Sequence, residues 1–208
     1  FDVKRVFFGA AIWGILTIVL LGAQYGFGDT SNLVFQFQPF NFIMMCIVIL
    51  IFIPFQVVFE EFIFRGYLMQ GCILLFKYRW VALLLTGFAF GLLHGSNPEV
   101  DRFGFWVAMP QYILMGLLLG LVAIWDDGLE LALGLHLANN VISSLVVTHD
   151  ASALQTHALF KDMAPTASHM DTVVMLACGI IFLWICNRKY KFFSKINLWG
   201  KVEREVIE

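Results

Sequence analysis

Residues 59–67 read Phe59-Glu60-Glu61-Phe62-Ile63-Phe64-Arg65-Gly66-Tyr67, and the twenty residues 40–59 carry no charge. A run of that length is what a helix needs to cross the hydrocarbon core of a bilayer. Ionisable side chains at membrane depth are costly to place and mark functional sites by default. Three of them within six residues, at the end of such a run, read as a transmembrane helix and an active site together. On a soluble surface the same cluster would carry little information.

The rest of the chain agrees with a membrane fold. Of 208 residues 60% are hydrophobic and 13% charged, far from the mix of a soluble domain. Uncharged stretches occupy residues 6–28, 40–59, 80–98, 103–125, 131–148 and 172–187; most reach a spanning length, and the last is short at sixteen. The fold class expected is all-α, a polytopic transmembrane helical bundle of about six spans. It forms a single integral-membrane domain over residues 1–208, with the lipid bilayer as its solvent. A net charge of −2 offers no basic surface, so nucleic acid is not expected as a partner. With the N-terminus inside, Lys4, Arg5, Lys77, Arg79, Arg188, Lys189, Lys191, Lys195, Lys201 and Arg204 fall on the cytoplasmic side. Only Arg102 and Lys161 fall outside, a clear positive-inside bias.

Cys46, Cys72, Cys178 and Cys186 lie in or beside apolar segments without paired spacing, and read as small hydrophobes. The first apolar stretch is too long for a signal peptide and is followed by further spans. The loop at residues 149–171 is polar and expected to be mobile. The tail, residues 188–208, is basic with interleaved aromatics, which suits an anchor at an anionic cytoplasmic leaflet.

A hairpin is expected around Lys77-Tyr78-Arg79. Glu60 lies 17 residues before Lys77 and His94 lies 17 after it, so two helical arms would raise both ~25 Å above the turn. Pro54 is expected to kink or break the first arm. Gly87, Gly91 and Gly95 form a small-residue stripe for close helix approach, and Gly116 and Gly120 repeat the pattern.

Glu61 and Arg65 are four apart, neighbours on one helix face with the acid on the favourable side. They should pair, which keeps Glu61 ionised and Arg65 tolerable. Glu60 points about 100° away and lacks that partner. An unpaired carboxylate out of water takes up a proton readily, which suits a general base. His94 closes Phe90-Gly-Leu-Leu-His94, and His136 opens His136-Leu-Ala-Asn-Asn140, with His136 and Asn140 on one face beside Asn139, Ser143 and Ser144. Polar glue between helices explains the serines but not two intramembrane histidines. Acids, imidazoles and amides together supply a base, proton carriers and oxyanion donors, the parts needed to hydrolyse an amide with activated water. No serine or cysteine sits in a nucleophile pattern. His149, His157 and His169 lie in the loop and receive no role.

These motifs carry a resemblance. Glu60-Glu61-Phe-Ile-Phe-Arg65-Gly66 matches the EExxFRG motif of the CPBP (Abi) family, intramembrane proteases related to the type II CAAX prenyl protease. Phe90–His94 matches its FxxxH motif and His136–Asn140 its HxxxN motif. The resemblance covers about residues 40–145. It implies an endopeptidase in which Glu60 and His94 hold and activate the attacking water. His136 and Asn140 would stabilise the oxyanion, and Glu61 would orient the site, held by Arg65. It also implies a peptide or protein substrate near the membrane surface. A prokaryotic member, in the cytoplasmic membrane, would serve peptide maturation or bacteriocin immunity; a eukaryotic one, in the endoplasmic reticulum, would cut prenylated CAAX tails. Family members have about eight spans, so a segment upstream of Phe1 is expected.

No cofactor is expected. Zn²⁺ is the alternative, with Glu60, His94 and His136 as ligands, but no HExxH helix presents two imidazoles together, and a Glu61 held by arginine is a poor ligand. Two other functions compete. A catalytically silent membrane binding or immunity protein would need only the Glu61–Arg65 pair. A proton-coupled transporter would need a polar path through the bilayer, whereas these groups gather at one place.

Overall fold

Apolar runs of this length form helices because the backbone must satisfy its own polar groups in lipid. The computed structural model describes residues 1–28, 30–194 and 196–203. α1 spans Val3–Phe27, with Asp2 capping it by accepting from the Lys4 N–H. α2 (Pro39–Glu61) continues through a π-helical segment, Phe62–Leu68, into α3 (Met69–Phe76). Lys77, with φ 65°, closes α3 and turns the chain into α4 (Arg79–Leu92), so the expected hairpin is present. A short α5 (Pro98–Phe103) leads to α6 (Phe105–Asp126), α7 (Glu130–Val146) and α8 (His169–Tyr190). Ser168 and Asp171 form a capping box at the start of α8.

Every uncharged stretch carries a helix, and among the described residues four helices are long and apolar enough to cross a membrane: Val3–Phe27, Pro39–Phe76, Phe105–Asp126 and His169–Tyr190. α4 and α7, at 14 and 17 residues, are shorter than a full crossing. α4 ends at Leu92, where the chain passes into tighter turns (His94 N–H to the Gly91 carbonyl, Gly95 N–H to the Leu92 carbonyl), and Pro98 then holds Asn97 extended (φ −67°, ψ 146°) and starts α5. His94 and Gly95 therefore sit in a turn rather than on the expected span. Pro54 lies inside α2 without breaking it. The winding changes further on, at Phe62–Leu68, where the Met69 N–H reaches back five residues to the Phe64 carbonyl. Phe52, Phe55, Phe59 and Phe62 form an exposed face that suits lipid.

The long loop is more ordered than its composition suggests. It contributes β3 (Phe160–Asp162), the middle strand of a three-stranded sheet. β1 (Leu33–Phe35) pairs with it antiparallel, and β2 (Val147–Thr148) pairs parallel. The sheet thus ties the entry to α2 to the exit from α7. At the other end of the bundle the tail folds back on the α3–α4 hairpin. Lys201 bridges to Tyr78, and the Val202 N–H donates to the Lys77 carbonyl. Lys195 and residues 204–208, including Arg204, lie outside the described residues.

α6 is the central helix: its most apolar 18 residues are 56% buried, against 17–22% in the other three spanning helices. Glycines let its neighbours close on it. A Cβ on Gly91 would lie 2.8 Å from the Ile113 backbone, and one on Gly116 would lie 2.4 Å from the Gly87 carbonyl oxygen. Gly95 takes no part. A second close contact, unmarked by any stripe in the sequence, joins α1 to α7 through Gly9 and Gly134. Ile124 shares one apolar cluster with Met69, Cys72 and Ile73. The α6–α7 turn therefore lies level with the start of α3, ~12 Å deeper than Lys77. That offset brings His136 up to the height of the carboxylates, although it is only nine residues past Asp127.

A Cβ at Gly134 would lie 2.1 Å from the Val6 carbonyl oxygen and 2.7 Å from the Ala10 nitrogen. Gly134→Ala is expected to lose about 1–3 kcal/mol by overpacking, read as a lower thermal midpoint in detergent. Gly22→Ala, where nothing lies within 4 Å, is expected to unfold with wild type.

Candidate active site

The end of α2 and the π-helical segment bring the first motif together. Arg65 Nη1 donates to Glu61 Oε1 at 2.9 Å, and both side chains are fully buried. Arg65 Nη2 donates to the Gly116 carbonyl at 2.9 Å, reaching α6 where the glycines have closed the gap. The guanidinium also lies 4.5 Å over the Phe90 ring. One cation thus joins the carboxylate, the central helix and the aromatic residue that opens the second motif.

Glu61 Oε1 takes a second donor. His136 Nδ1 on α7 lies 2.7 Å away, and because a carboxylate only accepts, that nitrogen carries the proton. The ring is thereby oriented with Nε2 toward Glu60, whose Oε2 stands 3.6 Å off. Glu60 is not the isolated carboxylate expected from its helical position. Its Oε1 accepts from Gln56 Nε2 at 2.9 Å, one turn back on α2. Its Oε2 is buried and makes no hydrogen bond within the described residues.

His94 and Asn140 sit beside this group without hydrogen bonds to the carboxylates among the described residues. His94 Nδ1 donates to the Phe90 carbonyl at 2.9 Å, which leaves Nε2 as the free edge. Both imidazoles pack on Phe90, with ring centroids 5.0 Å away for His94 and 5.8 Å for His136. Asn140 Oδ1 accepts from Asn139, whose own Oδ1 accepts from Trp13 on α1, so Asn140 Nδ2 is left to donate elsewhere. Gln56, His94 and Asn140 line one cavity of about 360 Å³. His149 stands on its outer wall. Burial pushes the His149 imidazole below its ordinary value, with Glu99, Asp162 and Asp150 pulling the other way.

The alternative zinc ligands are not assembled as a set. Among the described residues no three His, Cys, Asp or Glu side chains are grouped to hold a metal. Only Glu60 and His136 approach each other, and the nearby Glu61 oxygen is already taken by Arg65 and His136.

Three contributors escaped the reading of the sequence. Gln56 was discoverable, since it lies four residues before Glu60 on the same helix face. Tyr112 and the Gly116 carbonyl reach the site from α6 and carry no sequence signal.

The chain matches the family described as type II CAAX prenyl endopeptidase Rce1-like over residues 39–142. That interval runs from the first turn of α2 into α7 and contains Glu60, Glu61, Arg65, His94, His136 and Asn140. YyaK of Bacillus subtilis, an uncharacterized protein, is 30% identical over 149 residues, which cover 72% of this chain and 50% of the relative. The chain therefore spans about half the length of that curated relative. No solved structure matches it. The family match covers half of the chain, and within it Glu60, Glu61, Arg65 and His136 meet at one place, with four helices of membrane-spanning length and hydropathy among the described residues. On these grounds the chain is an integral membrane protein belonging to the type II CAAX prenyl endopeptidase Rce1-like family.

Proposed function

We propose that this chain is an intramembrane endopeptidase that hydrolyses a peptide bond with water, near the membrane surface. The observation that carries the reading is the doubly held Glu61. By accepting from both Arg65 and His136 Nδ1, it leaves His136 Nε2 and Glu60 Oε2 facing each other at 3.6 Å. A second carboxylate with a free oxygen, opposite an imidazole fixed by a first, is a base in place beside a proton carrier.

Glu60 Oε2 takes a proton from water, and the hydroxide oxygen bonds to the scissile carbonyl carbon. His94 Nε2, an acceptor while Nδ1 donates to Phe90, helps to hold that water. The carbonyl oxygen gains the negative charge, and Asn140 Nδ2 is one donor for it. His136 Nε2 is a second donor whenever it carries a proton. Collapse breaks the carbon–nitrogen bond, and the proton held on Glu60 passes to the leaving amine. Arg65 touches no reacting atom; it fixes Glu61, which fixes His136. The cavity beside these groups admits a peptide rather than a compact protein surface, which favours an extended segment as substrate. Peptide maturation is the role that suits such a site; a silent immunity protein would not need Glu60 held open.

Glu60→Gln is expected to abolish cleavage while the protein still assembles in the membrane, a loss of at least about 10²-fold. Proteomics of membranes with wild type or Glu60→Gln at matched expression reads this as termini made only by wild type. Identical termini in both would remove the proteolytic reading and favour silent binding. Arg65→Ala strands Glu61 and is expected to cost about 3–5 kcal/mol of stability, as well as activity; detergent unfolding checks it, and a stable, active variant would refute the pairing. Strong chelators are expected to leave the cleavage rate unchanged. Activity lost to them and restored by Zn²⁺ would instead demand a metal.

A further inference from the structure

His94 sits in the turn after α4, not on a helix, so something other than helical packing must hold its ring. Three contacts do so. Its Nδ1 donates to the Phe90 carbonyl, and the Phe90 ring lies 5.0 Å away at 46°. The third contact comes from α6, where the Tyr112 ring stacks on the imidazole at 4.7 Å with an interplanar angle of 16°. Tyr112 is anchored in turn. Its hydroxyl oxygen accepts from Asn97 Nδ2 at 3.2 Å, and the Asn97 N–H donates to the His94 carbonyl at 3.0 Å. The loop of contacts closes on itself: the turn that carries His94 also carries the group that holds the ring stacked on it.

The geometry points to Tyr112 as a positioning residue, one that keeps the His94 imidazole oriented with Nε2 free toward the cavity shared with Gln56 and Asn140. The Phe90 hydrogen bond alone fixes which nitrogen is protonated but leaves the ring free to rock about that bond. A parallel stacked ring removes the rocking, because offset stacking holds the two planes together. Tyr112 belongs to none of the three motifs, and its hydroxyl serves the anchor rather than the reaction. The role should therefore need the ring more than the oxygen.

The kinetic part of this inference rests on the proteolytic reading; the geometric part does not. The test uses the full chain in detergent micelles with an internally quenched farnesylated CAAX peptide as probe. Tyr112→Leu, which removes the ring, is expected to lower kcat about 10–100-fold with KM within about twofold, the mark of a displaced reacting group rather than lost binding. Tyr112→Phe, which keeps the ring, is expected to stay within about threefold of wild type in kcat. The second readout needs no substrate. In histidine-labelled protein, with His94→Gln to assign the resonance, Tyr112→Leu should move the His94 ring protons downfield as they leave the Tyr112 ring current. Asn97→Ala, which removes one hold on the Tyr112 hydroxyl and leaves Glu99 beside it, should move them the same way by less and covers the case in which Tyr112→Leu does not fold. An unchanged His94 signal in these variants overturns the inference, as does an unchanged kcat in folded Tyr112→Leu. If wild type leaves the peptide uncut, the proteolytic reading loses that substrate, and the ring shifts alone decide whether Tyr112 holds His94.

Discussion

The ion pair between Glu61 and Arg65 is the constraint to which the rest of the structure answers. At 2.9 Å, with an effective dielectric constant near 20, the attraction is worth about 6 kcal/mol. Removing two charges from water costs several kcal/mol for each ion. The pair alone therefore does little better than break even, and further contacts must tip the balance. They come from the Gly116 carbonyl, the Phe90 ring and the His136 imidazole. Each belongs to a different helix, so satisfying one buried cation draws α4, α6 and α7 to the end of α2.

The backbone is shaped to allow this. Arg65 reaches the Gly116 carbonyl from a π-helical segment whose wider winding resets the faces of α2 and α3 relative to each other. Such segments are rare and gather at functional sites. Gly87, Gly91 and Gly116 let α4 and α6 touch backbone to backbone, which puts Phe90 beneath the guanidinium. The deep α6–α7 turn lifts His136 to Glu61. The same turn is fastened to α1, where Arg5 pairs with Asp126. Stability and chemistry share these contacts, so the site cannot be loosened without loosening the bundle.

Much of this was legible from residue spacing. The i, i+4 pairing of Glu61 with Arg65, the hairpin at Lys77 and the helical stretches follow from helix periodicity and bilayer thickness, both of which act locally. The glycine stripe on α4 was legible for the same reason, although the helix ends at Leu92, before Gly95 can join it. The α1–α7 contact at Gly9 and Gly134 was not, because Gly134 is the one glycine of α7 and Gly9 belongs to no four-residue stripe on α1, so only the crossing of the two helices gives either a purpose. The strand in the loop at 149–171 was not legible for a related reason: it pairs with β1, far back in the chain, as well as with β2 at the end of α7. Glu60 looked solitary because its helix position excludes Arg65, while its contact with His136 crosses 76 residues of sequence.

The sequence by itself determined that this chain lies in a membrane, which segments are helical, and which ionisable side chains stand where water is scarce. These follow from the hydrophobicity and period of one segment at a time. Only the tertiary structure decided that His136 turns Nδ1 to Glu61 and Nε2 to Glu60, that His94 lies between Phe90 and α6, and that a turn far from the motifs sets the height at which they meet. Those facts depend on how deep one helix sits against another. Packing of whole helices sets that depth, and no local pattern encodes it.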